Sequence, residues 1–127
     1  MGTQATGTFK IDAWDEEPYA DKLTRARVKA TYSGDIEGQG ETEWLMCYRE
    51  DKTADFVGFQ RIVGSIGERS GRFVFESTGA FDGKEAAGPI TIVQGSGTGD
   101  LAGITGSGTF SAPMGGEPSV TLDYDFE

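Results

Sequence analysis

The 127-residue sequence contains no histidine and no asparagine, and its single cysteine is Cys47. Histidine-based catalytic triads, histidine metal sites and N-glycosylation sequons are therefore excluded, because each needs a side chain that is missing. A lone cysteine forms neither an internal disulfide nor a thiolate metal cluster. We therefore expect a cytoplasmic protein that uses no metal or nucleotide cofactor.

Long apolar runs and clustered positive charge are also missing. No apolar run approaches the roughly 18 residues of a membrane-spanning helix, and we expect no signal peptide, because the N-terminus lacks a basic region followed by an apolar one. The 11 lysines and arginines face 21 aspartates and glutamates, which gives a net charge of −10. Because this charge repels phosphates, we expect neither nucleic acid nor membrane as a partner.

Glycine is abundant, at 20 of 127 residues, whereas proline occurs only four times. No helical pattern of apolar residues extends over ten positions, but alternation of apolar and polar residues recurs along most of the chain. The length is that of one domain. These features predict a single all-β domain over residues 1–127.

Turn-forming residues separate the alternating segments and divide the chain into eight predicted strands. Their approximate bounds are Thr6–Trp14, Leu23–Gly34, Gly40–Arg49, Asp55–Ile66, Gly71–Phe81, Gly88–Gln94, Gly103–Ser111 and Ser119–Glu127. One longer acidic loop, Asp15–Lys22, is expected to lie across an open end of the fold.

Eight consecutive strands with short connections form either a sandwich or a barrel. Closure removes the exposed edges that a meander would present, so we predict an eight-stranded antiparallel up-and-down barrel. Glycines within the strands, at Gly58, Gly64, Gly79 and Gly106, suit the sharp bends of a small barrel.

The second and third predicted strands show which residues share a face. Pairing around Ile36 aligns an apolar face on both strands and places basic residues beside acidic ones on the other face. The apolar face carries Ala26, Val28, Ala30, Tyr32, Thr42, Trp44, Met46 and Tyr48, and the other face carries Arg25, Arg27, Lys29, Thr31, Glu41, Glu43, Leu45 and Cys47.

The fourth strand is apolar on both faces, with Phe56 and Ile62 on one and Val57, Phe59 and Val63 on the other. The pattern leaves open which face points inward. One face can fill the barrel, but the second needs a cover. We therefore expect a homo-oligomer, with a dimer as the default.

Aromatic and polar side chains together form the candidate ligand site. They are Tyr32, Trp44 and Tyr48 on the inferred inner face, with Gln60, Phe75 and Ser77 as neighbours from the fourth and fifth strands. An eight-stranded barrel is wide enough for one small ligand, which these residues would surround and orient. Two interpretations stay open: binding of a small hydrophobic molecule, with or without cyclase-like or isomerase-like chemistry, or a non-catalytic structural or protein-interaction barrel whose aromatics are simply core.

Two further features carry competing interpretations. Glu76 interrupts an apolar strand and is a candidate acid or base if it points inward, whereas an outward Glu76 would pair with Arg61 or Arg72. The run Gly95–Gly103 looks like a phosphate loop, but it lacks the glycine and lysine spacing that phosphate binding requires. We interpret it as a structural turn.

Short motifs along most of the chain carry a resemblance to a known family. They include Gly7-Thr8-Phe9, Trp14-Asp15-Glu16-Glu17-Pro18-Tyr19, Ser33-Gly34-Asp35-Ile36-Glu37-Gly38, Tyr48-Arg49-Glu50-Asp51, Gly64-Ser65-Ile66-Gly67 and Gly95-Ser96-Gly97-Thr98-Gly99-Asp100-Leu101-Ala102-Gly103. In these the sequence resembles a bacterial family of unassigned function whose members adopt an allene-oxide-cyclase-like barrel.

The resemblance implies the eight-stranded barrel but no established activity, because fold alone does not define function. Related barrels include cyclases that hold a reactive hydrophobic substrate and direct its ring closure by controlling its conformation. Family members often carry Gln-His in the fifth strand, where this chain reads Glu76-Ser77-Thr78-Gly79. If that imidazole is catalytic in relatives, this protein either lacks the function or uses Glu76 instead.

Overall fold

The computed structural model describes residues 2–126, which form nine strands and the turns between them. The strands are Thr3–Ala20 (β1), Leu23–Gly34 (β2), Ile36–Tyr48 (β3), Ala54–Ile66 (β4), Arg69–Phe81 (β5), Glu85–Ile92 (β6), Thr98–Gly99 (β7), Ile104–Pro113 (β8) and Ser119–Phe126 (β9). Over the same residues, no helix is long and apolar enough to cross a membrane.

Eight of the strands form a closed antiparallel barrel. The ring runs β1-β2-β3-β4-β5-β6-β8-β9, and β9 returns to pair with β1 from Thr3↔Tyr124 to Thr8↔Ser119. The two-residue strand β7 pairs only with β5, outside the ring. The predicted eight-stranded up-and-down barrel is therefore confirmed.

The β2–β3 pairing gives the predicted faces, although the strands pair around Asp35 and not around Ile36. Ala26 lies opposite Trp44 on the inner face, and Arg27 lies opposite Glu43 on the outer face. Glu43 Oε1 accepts hydrogen bonds from Arg25 Nη2 at 2.6 Å and Arg27 Nε at 3.2 Å. Because these ion pairs are exposed and screened by water, they contribute little, and burial of the inner face dominates the stability.

The predicted loop at Asp15–Lys22 is wrong. β1 continues through this segment to Ala20 and pairs with β2, and only Asp21 and Lys22 form the turn. A register shift between Ile11 and Ala13 inserts one extra residue, so the alternation changes phase in the middle of the strand. The strict alternation of the sequence ends there, although the strand continues.

Two groups of buried apolar side chains pack inside the barrel. The first, which we call the closed-end cluster, contains the buried residues Ala5, Ala30, Tyr32, Ile36, Ile62, Ile66, Phe73, Phe75, Ile90, Ile92, Leu101, Ile104, Val120 and Leu122. The second, the open-end cluster, contains Ala26, Val28, Met46, Ala54 and Phe56. Leu101 comes from the run Gly95–Gly103, so this run contributes to the core as the structural interpretation expects.

The orientation of β4 answers the question that its sequence left open. Phe56 and Ile62 point into the barrel and are buried. Val57, Phe59 and Val63 point outward, with 43%, 55% and 45% of their surface exposed. The outer face of β4 is therefore an exposed apolar surface.

Candidate ligand-binding cavity

A cavity of about 290 Å³ lies inside the barrel and opens at one end. Its mouth is marked by Ile11 and Trp14, which line the cavity and are 41% and 49% exposed. The complete lining is Phe9, Ile11, Trp14, Ala30, Tyr32, Thr42, Trp44, Met46, Tyr48, Phe56, Gln60, Phe75, Ser77, Phe81, Ala86, Phe110 and Ala112. The cavity is thus mainly apolar, with a few polar groups.

All six residues of the candidate ligand site lie in the wall of this one cavity. They are Tyr32, Trp44, Tyr48, Gln60, Phe75 and Ser77. The two-residue repeat of a strand explains this convergence, because each of these side chains occupies an inward position on its strand. Their role in binding a ligand stays a prediction.

The floor of the cavity is formed by Tyr32, Gln60, Phe75 and Ser77, which are only 1% to 6% exposed. Burial raises the pKa of the Tyr32 phenol, and a hydrogen bond with the Gln60 side chain opposes that rise only in part. Tyr32 is therefore a neutral hydroxyl at physiological pH. The floor offers dipoles and hydrogen-bonding groups without a charge.

Ser77 is distinctive because its buried Oγ atom has no hydrogen-bond partner. On the neighbouring strands, Gly58 and Ile90 lie opposite it and offer no polar side chain. A buried hydroxyl without a partner costs about 1–3 kcal/mol. The floor therefore holds a hydrogen-bonding group that nothing within residues 2–126 satisfies.

Three aromatic rings form one wall. The centroid of Trp44 lies 4.9 Å from that of Phe56 and 6.2 Å from that of Phe110, and the Phe56 and Phe110 centroids are 5.9 Å apart. Gly58 makes room for the indole, because a Cβ atom there would lie 2.7 Å from Trp44 Cε3. The strand glycine thus lets a large ring lie against the sheet.

At the mouth, Glu16 connects the extended part of β1 to β2 and β3. Its carboxylate accepts hydrogen bonds from Trp14 Nε1 at 2.9 Å, Thr24 Oγ1 at 2.6 Å and the Tyr48 hydroxyl at 2.6 Å. Partial burial favours a higher pKa for Glu16, but these three donors outweigh it and hold the pKa below that of a free glutamate. Burial and the Glu16 carboxylate raise the pKa of Tyr48 to about 12.

The sequence did not identify several parts of the site. Phe110 closes the aromatic wall but lies on a strand whose other residues are mostly small or polar. Trp14 and Glu16 lie beyond the change of phase in β1. Trp14 was the last residue of the predicted first strand, and Glu16 lay in the predicted loop. If Asp12 is treated as one extra residue, the alternation continues through Trp14 and Glu16, and this signal could have identified both residues.

The structure corrects the prediction that Glu76 is a candidate acid or base. Glu76 lies on the outer face of β5, exposed, between Phe59 of β4 and Thr91 of β6. Because Ser77 takes the inward position, its neighbour Glu76 must point outward. Arg61 forms an ion pair with Glu41, with Nη2 and Oε1 3.7 Å apart. Glu76 is not an acid or base inside the barrel.

The lining limits the chemistry that the cavity itself can perform. Within residues 2–126, the lining contains hydroxyl, amide, indole and thioether groups, but no carboxylate, amine, guanidinium or thiol. Elsewhere in residues 2–126, no three cysteine or carboxylate side chains are grouped as a metal site would require. The site therefore has the composition of an apolar binding cavity with oriented polar groups.

The fold and the site together define a small closed β-barrel with an apolar cavity at one end. The chain belongs to a family described as protein of unknown function, DUF3224, which it matches over residues 5–124. It is similar to the crystal structure of a DUF3224 protein of unknown function from Shewanella oneidensis MR-1, with a TM-score of 0.86 and 26% identity. That likeness covers 100% of this chain and 98% of the other. No curated protein matches the sequence.

Proposed function

We propose that this protein binds a small, mainly apolar molecule in the barrel cavity. The observation that carries the proposal is a space of about 290 Å³ inside the barrel, lined by aromatic rings and accessible from one end. Protein interiors are normally packed without voids larger than a water molecule. A space of this size forfeits packing contacts unless a ligand fills it, and ligand sites begin at about this volume.

Binding with conformational control fits the lining better than acid or base catalysis. The ionisable groups in the wall are the phenols of Tyr32 and Tyr48, and burial raises the pKa of both. Cyclase-like or isomerase-like chemistry would therefore have to depend on holding a reactive substrate in one conformation. We include an allene-oxide-cyclase-like barrel in this proposal on the sequence resemblance alone.

Titration with N-phenyl-1-naphthylamine, a neutral fluorophore that brightens in apolar surroundings, tests the proposal. We expect saturable binding to the wild-type protein. Ala112 lines the cavity, so the added ring of Ala112→Phe should occupy part of it and weaken binding by about 30-fold, which is about 2 kcal/mol. Fluorescence titration at fixed protein concentration measures both constants.

Ala102→Phe is the matched control for this titration. Ala102 is exposed and lies in the turn between β7 and β8, and the cavity lining does not include it. We expect this variant to bind the probe within about twofold of wild type, and circular dichroism should show the same β structure in both variants. Equal binding by wild type and Ala112→Phe would contradict the proposal.

A second candidate function is supported by the exposed apolar residues on the outer face of β3 and β4, which we call the outer patch. Its members are Leu45, Val57, Phe59 and Val63. Leu45 and Val57 are register partners, so the apolar residues at this end of the patch lie side by side on the two strands. We propose that a second copy of the chain covers this patch in a homodimer, because neighbouring exposed apolar groups mark interaction surfaces.

Replacing Phe59, the aromatic residue of the outer patch, tests the homodimer. We expect the wild-type protein to have twice the mass of one chain in sedimentation equilibrium, and Phe59→Glu to have the mass of one, because a buried unpaired carboxylate opposes association. Thr109→Glu, exposed on β8, is the control and should remain dimeric. A monomeric wild type at all concentrations would exclude this interface.

The proposed compartment is the cytoplasm. The supporting observation is the single cysteine, Cys47, which is exposed and not in a disulfide. A thiol of this kind persists in a reducing environment. We propose no nucleic-acid or membrane partner, in keeping with the net charge of −10.

A further inference from the structure

The buried polar side chains of the barrel are concentrated in one place. Among residues 2–126, the buried polar side chains are those of Thr42, Gln60 and Ser77. All three line the cavity, and the buried Tyr32 hydroxyl joins them. Because burying a polar group opposes folding unless it is hydrogen-bonded, their convergence needs an explanation other than packing.

Ser77 indicates that the explanation is a ligand. The amide of Gln60 interacts with the Tyr32 hydroxyl, so these two groups satisfy one another in part. The Ser77 hydroxyl is buried in the floor with no partner. Ser77 lines the cavity, so an acceptor that enters it and displaces the atoms covering Oγ would satisfy this O–H group.

The charge around the cavity restricts what that acceptor can be. No lysine or arginine lines the cavity, so a buried carboxylate or phosphate would find no counter-ion there. An anion would also approach a chain with a net charge of −10, past the Glu16 carboxylate that is bonded to Tyr48 at the mouth. A cation would pass Glu16 but would find no carboxylate at the floor.

We propose that the cavity selects a neutral apolar molecule with one carbonyl or hydroxyl oxygen, bound with that oxygen at Ser77 and its apolar body against Trp44, Phe56 and Phe110. This inference rests on the proposed binding function and adds the chemical class and orientation of the ligand. The aromatic wall contacts a hydrocarbon skeleton, and the floor recognises a single oxygen. Fatty acids and other apolar anions are thereby disfavoured.

Three probes of nearly the same shape test which polar group on the ligand the cavity prefers. They are 2-acetylnaphthalene with a ketone, 2-isopropenylnaphthalene with no oxygen, and 2-naphthoate with a carboxylate, each measured by displacement of N-phenyl-1-naphthylamine. We expect the ketone to bind about 10-fold more tightly than the hydrocarbon, because only the ketone satisfies Ser77. The carboxylate should bind at least about 10-fold more weakly than the ketone.

Ser77→Ala tests whether Ser77 is the group that binds the ligand oxygen. In this variant we expect the ketone to lose its advantage and to bind within about threefold of the hydrocarbon. The melting temperature should rise by about 3 °C, because an unpartnered buried hydroxyl is removed. Ser107→Ala, exposed on β8, is the matched control and should preserve the wild-type preference for the ketone.

The outcomes separate this inference from the proposed function. Equal affinities for ketone and hydrocarbon in the wild type, or an unchanged preference in Ser77→Ala, would overturn the inference while the cavity remained a binding site. Tightest binding of 2-naphthoate would overturn the neutral ligand class. Failure of N-phenyl-1-naphthylamine itself to bind the wild-type protein would overturn the binding function and the inference together.

Discussion

Phe73→Ala is expected to lower the free energy of unfolding by about 3–5 kcal/mol, a large part of the 5–15 kcal/mol typical of one domain. Phe73 is 1% exposed and belongs to the closed-end cluster, where its ring centroid lies 6.1 Å from that of Phe75. Truncation removes the contacts of a buried aromatic ring and leaves a cavity that the closed barrel cannot easily collapse. Urea denaturation followed by circular dichroism measures the loss.

Tyr19→Ala is the comparison for Phe73→Ala. Tyr19 is also an aromatic residue in a strand, but it is 66% exposed near the end of β1. We expect its truncation to change the stability by less than about 0.5 kcal/mol. Similar losses for the two variants would show that the closed-end cluster is not the packed core described above.

Gly64→Val is expected to lower the free energy of unfolding by about 3 kcal/mol or more, a large part of the total for one domain. Gly64 of β4 lies directly opposite Gly38 of β3. A Cβ atom at Gly64 would lie 2.7 Å from Gly38 Cα and would overlap the Glu37 carbonyl oxygen. The two backbones would have to separate, which would disrupt the pairing of β3 and β4.

Ser65→Val tests whether that effect comes from the site or from the new side chain. Ser65 follows Gly64 in β4 and is half-buried, and valine is well suited to a strand. We expect its thermal unfolding to lie close to that of wild type, within about 0.5 kcal/mol. If Gly64→Val unfolds at the same temperature as Ser65→Val, the glycine is not needed for close approach of the strands.

Alternation predicted the strands, and the need to remove exposed edges then favoured the barrel. It placed Tyr32, Trp44 and Tyr48 on the inner face, whereas Gln60, Phe75 and Ser77 were candidates on strands whose inward face it left open. A strand repeats every two residues, so Trp44 and Tyr48 must share a face once β2 and β3 pair. The prediction was wrong where alternation changed phase. The extra residue near Asp12 moved the inward positions of β1 by one, which concealed Trp14 and Glu16.

Other features lay beyond the pattern for physical reasons. Glu76 and Ser77 are both polar, so composition could not decide which of them points inward; the pairing with β4 and β6 decides it. The empty volume beside Trp44 was equally hidden, because periodicity identifies a face but not how completely its side chains fill the barrel. That volume depends on strand tilt and on how the strands are staggered around the ring.

A crystal structure of the protein soaked with 2-acetylnaphthalene tests the central claim most directly, because it locates both the cavity and the ligand oxygen. The account predicts electron density for the naphthalene against Trp44, Phe56 and Phe110, with the ketone oxygen about 2.8 Å from Ser77 Oγ. Aromatic side chains closed over the same space, with no ligand density between them, would contradict it.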